Sequence, residues 1–106
     1  MPGYQQVSWV ATGLMTDVAT LLDFARRGWI KTAEKNGSVF IAADQQYRAK
    51  YILHLRRKKH LNDEQIECIL SVQQPPYSAA AVDSILKEHG LAPQDPKPAR
   101  PGKSQP

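Results

Sequence analysis

The sequence predicts a mainly α fold of about five helices with one short β-hairpin wing. Three observations predict it. Apolar residues recur at helical spacing in separate stretches along the chain. Asn36-Gly37, a pair that tolerates the positive φ values of a tight turn, stands between two short strand-like runs. Gly13, Gly28, Gly90 and Pro75-Pro76 punctuate the pattern where helices must end.

The elements follow in order. Gln5 to Thr12 forms a short helix with Val7, Val10 and Ala11 on one face, stopped by Gly13. Thr16 or Asp17 caps the second helix, whose buried positions are Val18, Leu21, Leu22 and Ala25. Gly28 ends it, and Arg26 and Arg27 suit its negative end. Trp29 to Thr32 and Ser38 to Ile41 are the hairpin strands, joined across Lys35-Asn36-Gly37-Ser38. A long helix runs from about Ala42 to Lys59, with Tyr47, Tyr51, Ile52 and Leu55 as its apolar stripe. Asn62, with Gln65 three residues on, makes a capping box for the fourth helix, which buries Ile66, Ile69 and Leu70. Gln73 to Tyr77 breaks the chain. Ser78 caps the last helix, whose core positions are Val82, Ile85 and Leu86, and Gly90 ends it.

Trp9 and Trp29 are expected in the core, and Cys68 as a small buried hydrophobe. Residues 4–90 are expected to fold and residues 91–106 to form a disordered tail or linker. The tail holds five of the eight prolines, no aromatic residue, and only Leu91 and two alanines as apolar side chains. Such a segment buries too little surface to offset its ordering entropy.

The 106 residues are 42% hydrophobic and 23% charged. No apolar run approaches the ~20 residues of a membrane span, and no signal-peptide core stands at the N-terminus, so a cytoplasmic protein without membrane contact is expected. One cysteine excludes an intramolecular disulfide and a Cys-based zinc cluster. The three histidines lack helical metal-pair spacing, so no metal or other cofactor is expected. With no nucleophile elbow, phosphate-cradling glycine loop or paired carboxylates, neither is catalysis. The net charge is +4, but residues 45–60 carry six cations and no acid. That concentration suits an anionic partner.

Two stretches resemble known families. Leu61-Asn62-Asp63-Glu64-Gln65-Ile66-Glu67, Pro75-Pro76-Tyr77-Ser78, Val82 and Ile85-Leu86-Lys87-Glu88-His89-Gly90-Leu91 resemble the homeodomain-like helix-turn-helix region of bacterial insertion-element transposases. This covers about half of the chain. In that family the serine caps the recognition helix, and a Pro-rich linker follows. Gly28-Trp29-Ile30 and Asn36-Gly37 are similar to the helix exit and wing tip of the MerR-type winged helix. Val18 to Phe24, which matches that family's recognition helix, holds no cation, and Gly37-Ser38-Val39 replaces its Gly-Tyr-Arg. Those departures bring the stretch nearer to CbpM-type chaperone modulators, which work through protein contacts.

The resemblances imply a helix-turn-helix or winged-helix module of transposase or regulator type that binds duplex DNA. The alternative is a module of the same shape with a protein partner. Candidate phosphate contacts are Arg48, Arg56, Arg57, Lys58 and Lys59 on the long helix, with Arg26, Arg27, Lys31 and Lys35 on and beside the wing. Ser78, Ser84 and Lys87 are the candidate contacts of the last helix.

Overall fold

The computed structural model describes residues 3–91, so the expected tail lies outside the described residues from position 92 onward. The stretch expected to fold is organised as two compact units, the first ending at His60 and the second beginning at Leu61. Among the described residues the architecture is mainly α, with five helices and a small antiparallel sheet as the β wing.

The first unit contains β1 (Tyr4–Gln6), α1 (Val7–Gly13), α2 (Val18–Arg26), β2 (Ala33–Lys35), β3 (Ser38–Ala42) and α3 (Ala43–Arg57). The sheet order is β1-β3-β2, with β3 in the middle. The hairpin tip is as expected. Lys35 pairs with Ser38, and Asn36 (φ 53°) and Gly37 (φ 78°) supply the two positive φ values of a type I′ turn.

Two strand expectations are corrected. The first hairpin strand is Ala33–Lys35, not Trp29 to Thr32. The two-residue turn fixes the register backward from Lys35, and Trp29 and Ile30 leave the sheet to be buried. Tyr4–Gln6 is a third strand, with Tyr4 opposite Ala42 and Gln6 opposite Phe40, so the first helix begins at Val7 rather than Gln5.

Helix ends explain much of the local geometry. The α2 cap is as expected: the Asp17 carboxylate accepts from the Thr20 N–H at 2.8 Å. At its other end the Gly28 N–H reaches the Ala25 carbonyl (3.0 Å) and the Trp29 N–H the Phe24 carbonyl (2.9 Å). This is a Schellman motif with Gly28 in the left-handed position (φ 80°). Its usual hydrophobic contact is the Phe24–Trp29 ring pair, with centroids 5.6 Å apart. The last helix closes in the same way at Gly90. The first helix closes likewise but not at Gly13. Met15 takes the left-handed position (φ 57°) and Thr16 bonds back to Ala11.

The first core centres on Leu21, Phe24, Ile41, Ala49, Ile52 and Leu55, all fully buried. Phe24 rather than Leu22 joins Leu21 on the inner face of α2; Leu22 is 41% exposed. On α3, Tyr51, Ile52 and Leu55 are buried as expected, while Tyr47 lies outside the stripe. Trp29 is 4% exposed, but Trp9 is 67% exposed, against expectation. Only Val10 and Ala11 of α1 are buried, and Trp9 projects ~100° away from Val10 around so short a helix.

In the second unit α4 (Asp63–Val72) begins with the expected capping box, Asn62 and Gln65 each bonding the other's backbone N–H at 2.9 Å. A 3-10 turn (Ala79–Ala81) then leads into α5 (Val82–Glu88). Ile66, Ile69 and Leu70 are buried, as are Val82, Ile85 and Leu86. The Ser78 side chain makes no cap. Instead the buried Gln73 amide clasps the Ser78 backbone, accepting from its N–H at 3.1 Å and donating to its carbonyl at 3.0 Å. Cys68 is only partly buried.

Candidate nucleic-acid interface

The arginines of the first unit are engaged with the fold itself. Arg48 Nε donates to the Trp29 carbonyl oxygen, and Gln45 Oε1 accepts from the Lys31 N–H at 2.8 Å. Together these satisfy backbone groups of the connection from α2 to β2, which no sheet pairing serves. The Arg56 guanidinium lies 5.1 Å from the Phe24 ring centroid and 5.5 Å from that of Trp29. Arg27 lies 5.1 Å from the Trp29 centroid. Each ring face attracts a cation through its quadrupole.

Asp23 organises the other side of Arg27. Its carboxylate accepts from Arg27 Nε at 2.7 Å and also from Arg26 Nη2. The Arg27 hydrogen bond, and then that of Arg26, hold the Asp23 carboxyl below the usual carboxylate range. The Thr20 hydrogen bonds do the same for Asp17. Arg57 crosses to the end of α1, where Nη1 donates to the Leu14 carbonyl (3.2 Å) and Nη2 to the Met15 carbonyl (2.7 Å). A guanidinium fork there meets the carbonyls of the closing corner, beside the negative end of that helix.

The cations directed outward are mostly lysines. Lys31, Lys35, Lys50 and Lys58 are exposed; Lys59 is partly so. Lys31 precedes β2, and Lys35 is its last residue, at the wing tip. Lys50, His54 and Arg57 share one face of α3 at helical spacing, and the C-cap Lys58 continues it. With Leu53 and the Gly13-Leu14-Met15 corner they line an open cavity of about 260 Å³. This groove has an apolar floor and a cationic rim.

Nine of the twelve candidate contacts thus lie in the first unit; Ser78, Ser84 and Lys87 lie in the second. Charge separates the units further. Residues 1–60 hold ten Lys and Arg against four Asp and Glu, whereas residues 61–91 hold one Lys against five acids. Ser84 and Lys87 are exposed on α5, flanked by exposed Asp83 and Glu88. Lys50 counts in the sequence only as one cation of the basic run; neither its place in the groove nor the Phe24–Trp29 platform under Arg56 is foreseen there. Only the basic run from Arg48 to Lys59 signalled either.

Among the described residues there is no group of three or more His, Cys, Asp or Glu able to hold a metal ion. No helix there is long and apolar enough to cross a membrane. No protein-family model, curated protein or solved structure matches the chain.

Proposed function

We propose that the chain is a non-catalytic, cytoplasmic duplex-DNA-binding module whose first unit holds the phosphate backbone. The observation that carries this reading is the concentration of outward lysines on that unit: Lys31 and Lys35 on the wing, Lys50 and Lys58 along the α3 groove. Phosphate contacts fix a protein on duplex DNA without reading sequence. The exposed face of α2 offers Ala19, Leu22 and an Arg26 already tied to Asp23. The α5 candidates sit among acids that a phosphate repels. Binding is therefore dominated by charge, with little discrimination between sequences.

Fluorescence anisotropy on random duplex DNA across a salt series tests this. About four phosphate contacts give a slope of log K against log[salt] near −3.6, at roughly −0.9 per contact. Changing Lys35, Lys50 and Lys58 to Gln weakens binding to every sequence alike and flattens that slope. Changing Ser84 and Lys87 leaves it nearly unmoved. No measurable affinity for any duplex at low salt removes the DNA reading. A second reading, a module for a protein partner, is favoured by the exposure of Trp9 and Met15.

A further inference from the structure

The groove between α3 and the corner that closes α1 holds more chemistry than a phosphate contact uses. Its volume is about 260 Å³. That is just under the roughly 300–1,000 Å³ of pockets for drug-sized ligands, so it admits a small molecule. Leu14, Met15 and Leu53 supply its apolar surface, and Lys50, Arg57 and Lys58 its charge; among the described residues no acid lines it. Arg57 gives one N–H from each terminal nitrogen to the Leu14 and Met15 carbonyls. A guanidinium carries more donors than these bonds use, so its charge and further N–H groups remain for a ligand. The wall also contains a polar atom that the fold leaves unsatisfied. His54 Nε2 is buried and has no hydrogen-bond partner among the described residues. Buried polar atoms in folded chains are nearly always paired, so this one, beside a cationic rim, marks a site completed by a bound group. At the mouth stands Met15, whose exposed, unbranched thioether adapts its shape to what it covers.

We infer that this groove binds a small amphipathic carboxylate: a single short apolar chain ending in one anionic group. The two halves of the site select it together. A bare anion uses the rim and leaves Leu14 and Met15 facing water. An uncharged apolar molecule covers them and draws nothing from the cations. A chain ending in a carboxylate meets both. Its oxygens accept charge-assisted hydrogen bonds from Lys50 and Lys58, and its methylenes leave water against Leu14, Met15 and Leu53. The lysine stems extend the apolar floor while their ammonium groups stay in water.

This inference goes beyond the DNA reading and stands without it. Lys50 and Lys58 serve both, but the test contains no nucleic acid, so either can fail alone. The measurement is a titration of the full chain with octanoate, below its micelle concentration, followed by backbone amide chemical shifts. Acetate and octanol are titrated in parallel. The expected result is a saturable response to octanoate confined to the amides of the groove, residues 13–15 and 50–58. Either control binds about tenfold more weakly or worse, since each lacks one half of the interaction. Lys50→Gln together with Lys58→Gln weakens octanoate about tenfold, through loss of charge-assisted hydrogen bonds. Both lysines are exposed, and the amide spectrum away from the groove reports that the variant keeps its fold. Acetate as strong as octanoate reduces the groove to a charged patch, and octanol as strong reduces it to an apolar crevice. Either result overturns the inference. So does a double variant that binds octanoate like the parent, or a parent with no saturable response at the groove.

Discussion

Arg57 Nη2 donates to the carbonyl oxygen of Met15 at 2.7 Å, tying the last turn of α3 to the corner that closes α1. A residue that sequence alone places among the phosphate contacts therefore holds two helices of its own unit. Arg57→Ala is expected to lower the unfolding free energy by about 1 kcal/mol, the scale of a solvent-accessible charged hydrogen bond at a helix end. Chemical denaturation measures this. An unchanged midpoint would mean that the bond contributes nothing beyond what water supplies.

Met15 occupies a left-handed conformation that costs a residue with a Cβ roughly 1–2 kcal/mol, and its side chain is 83% exposed. Met15→Gly relieves that cost and forfeits little packing, while glycine's greater freedom when unfolded returns part of it. The expected net effect is a stabilisation of about 0.5 kcal/mol, read as a higher denaturant midpoint with the same slope. Destabilisation would show that the thioether packs on the α3 groove in solution.

Asn62 and Gln65 cap each other's backbone at the start of α4. Asn62→Ala is expected to cost about 1 kcal/mol, and Asn62→Asp to retain most of the stability. Gln65→Ala costs more, because the same side chain donates to the Leu91 carbonyl at 2.8 Å and so also ties the turn that closes α5. Equal losses for the alanine variants at 62 and 65 would remove the Leu91 tie as a contributor.

Asp23 has a lowered carboxyl pKa because Arg27, and secondarily Arg26, hydrogen-bond its charged form. Its contribution to stability is therefore present in full above the usual carboxylate range. It is lost as pH falls through the lower folded-state value. Asp23→Asn is expected to lower stability slightly at neutral pH and to make acid unfolding less steep. Both effects are small because solvent screens the pair. Parallel denaturation curves for variant and parent across the acid range decide it. An unaltered acid limb contradicts the assignment.

The parts of the fold legible in the sequence are those that one residue type controls. Asp17, Asn62 and Gly28 each announced a helix boundary through a requirement that few other residues meet: a short acceptor at a cap, or a left-handed φ. Asn36-Gly37 fixed the hairpin turn for the same reason. β1 was not legible, since Tyr4-Gln5-Gln6 has no apolar alternation and becomes a strand only because β3 offers an edge. Met15 was missed because a left-handed cap is expected of glycine, and Gly13 stood two residues away. Trp29 and Ile30 read as a strand because burial in a connection leaves the same apolar pair. The arginine roles were least legible of all. A guanidinium can fork onto phosphates, backbone carbonyls or a ring face with equal chemical sense. Which one it meets depends on a carbonyl distant along the chain, as with Arg57 and Leu14.

The two tryptophans make the molecule its own spectroscopic reporter. Trp29, 4% exposed, lies under the guanidinium groups of Arg27 and Arg56, while Trp9, 67% exposed, faces water. Their indoles therefore emit from different surroundings: Trp9 at longer wavelength and open to a dissolved quencher, Trp29 shielded until the first unit unfolds. Wavelength-resolved quenching of one unlabelled sample thus separates events at the exposed side of α1 from loss of the core.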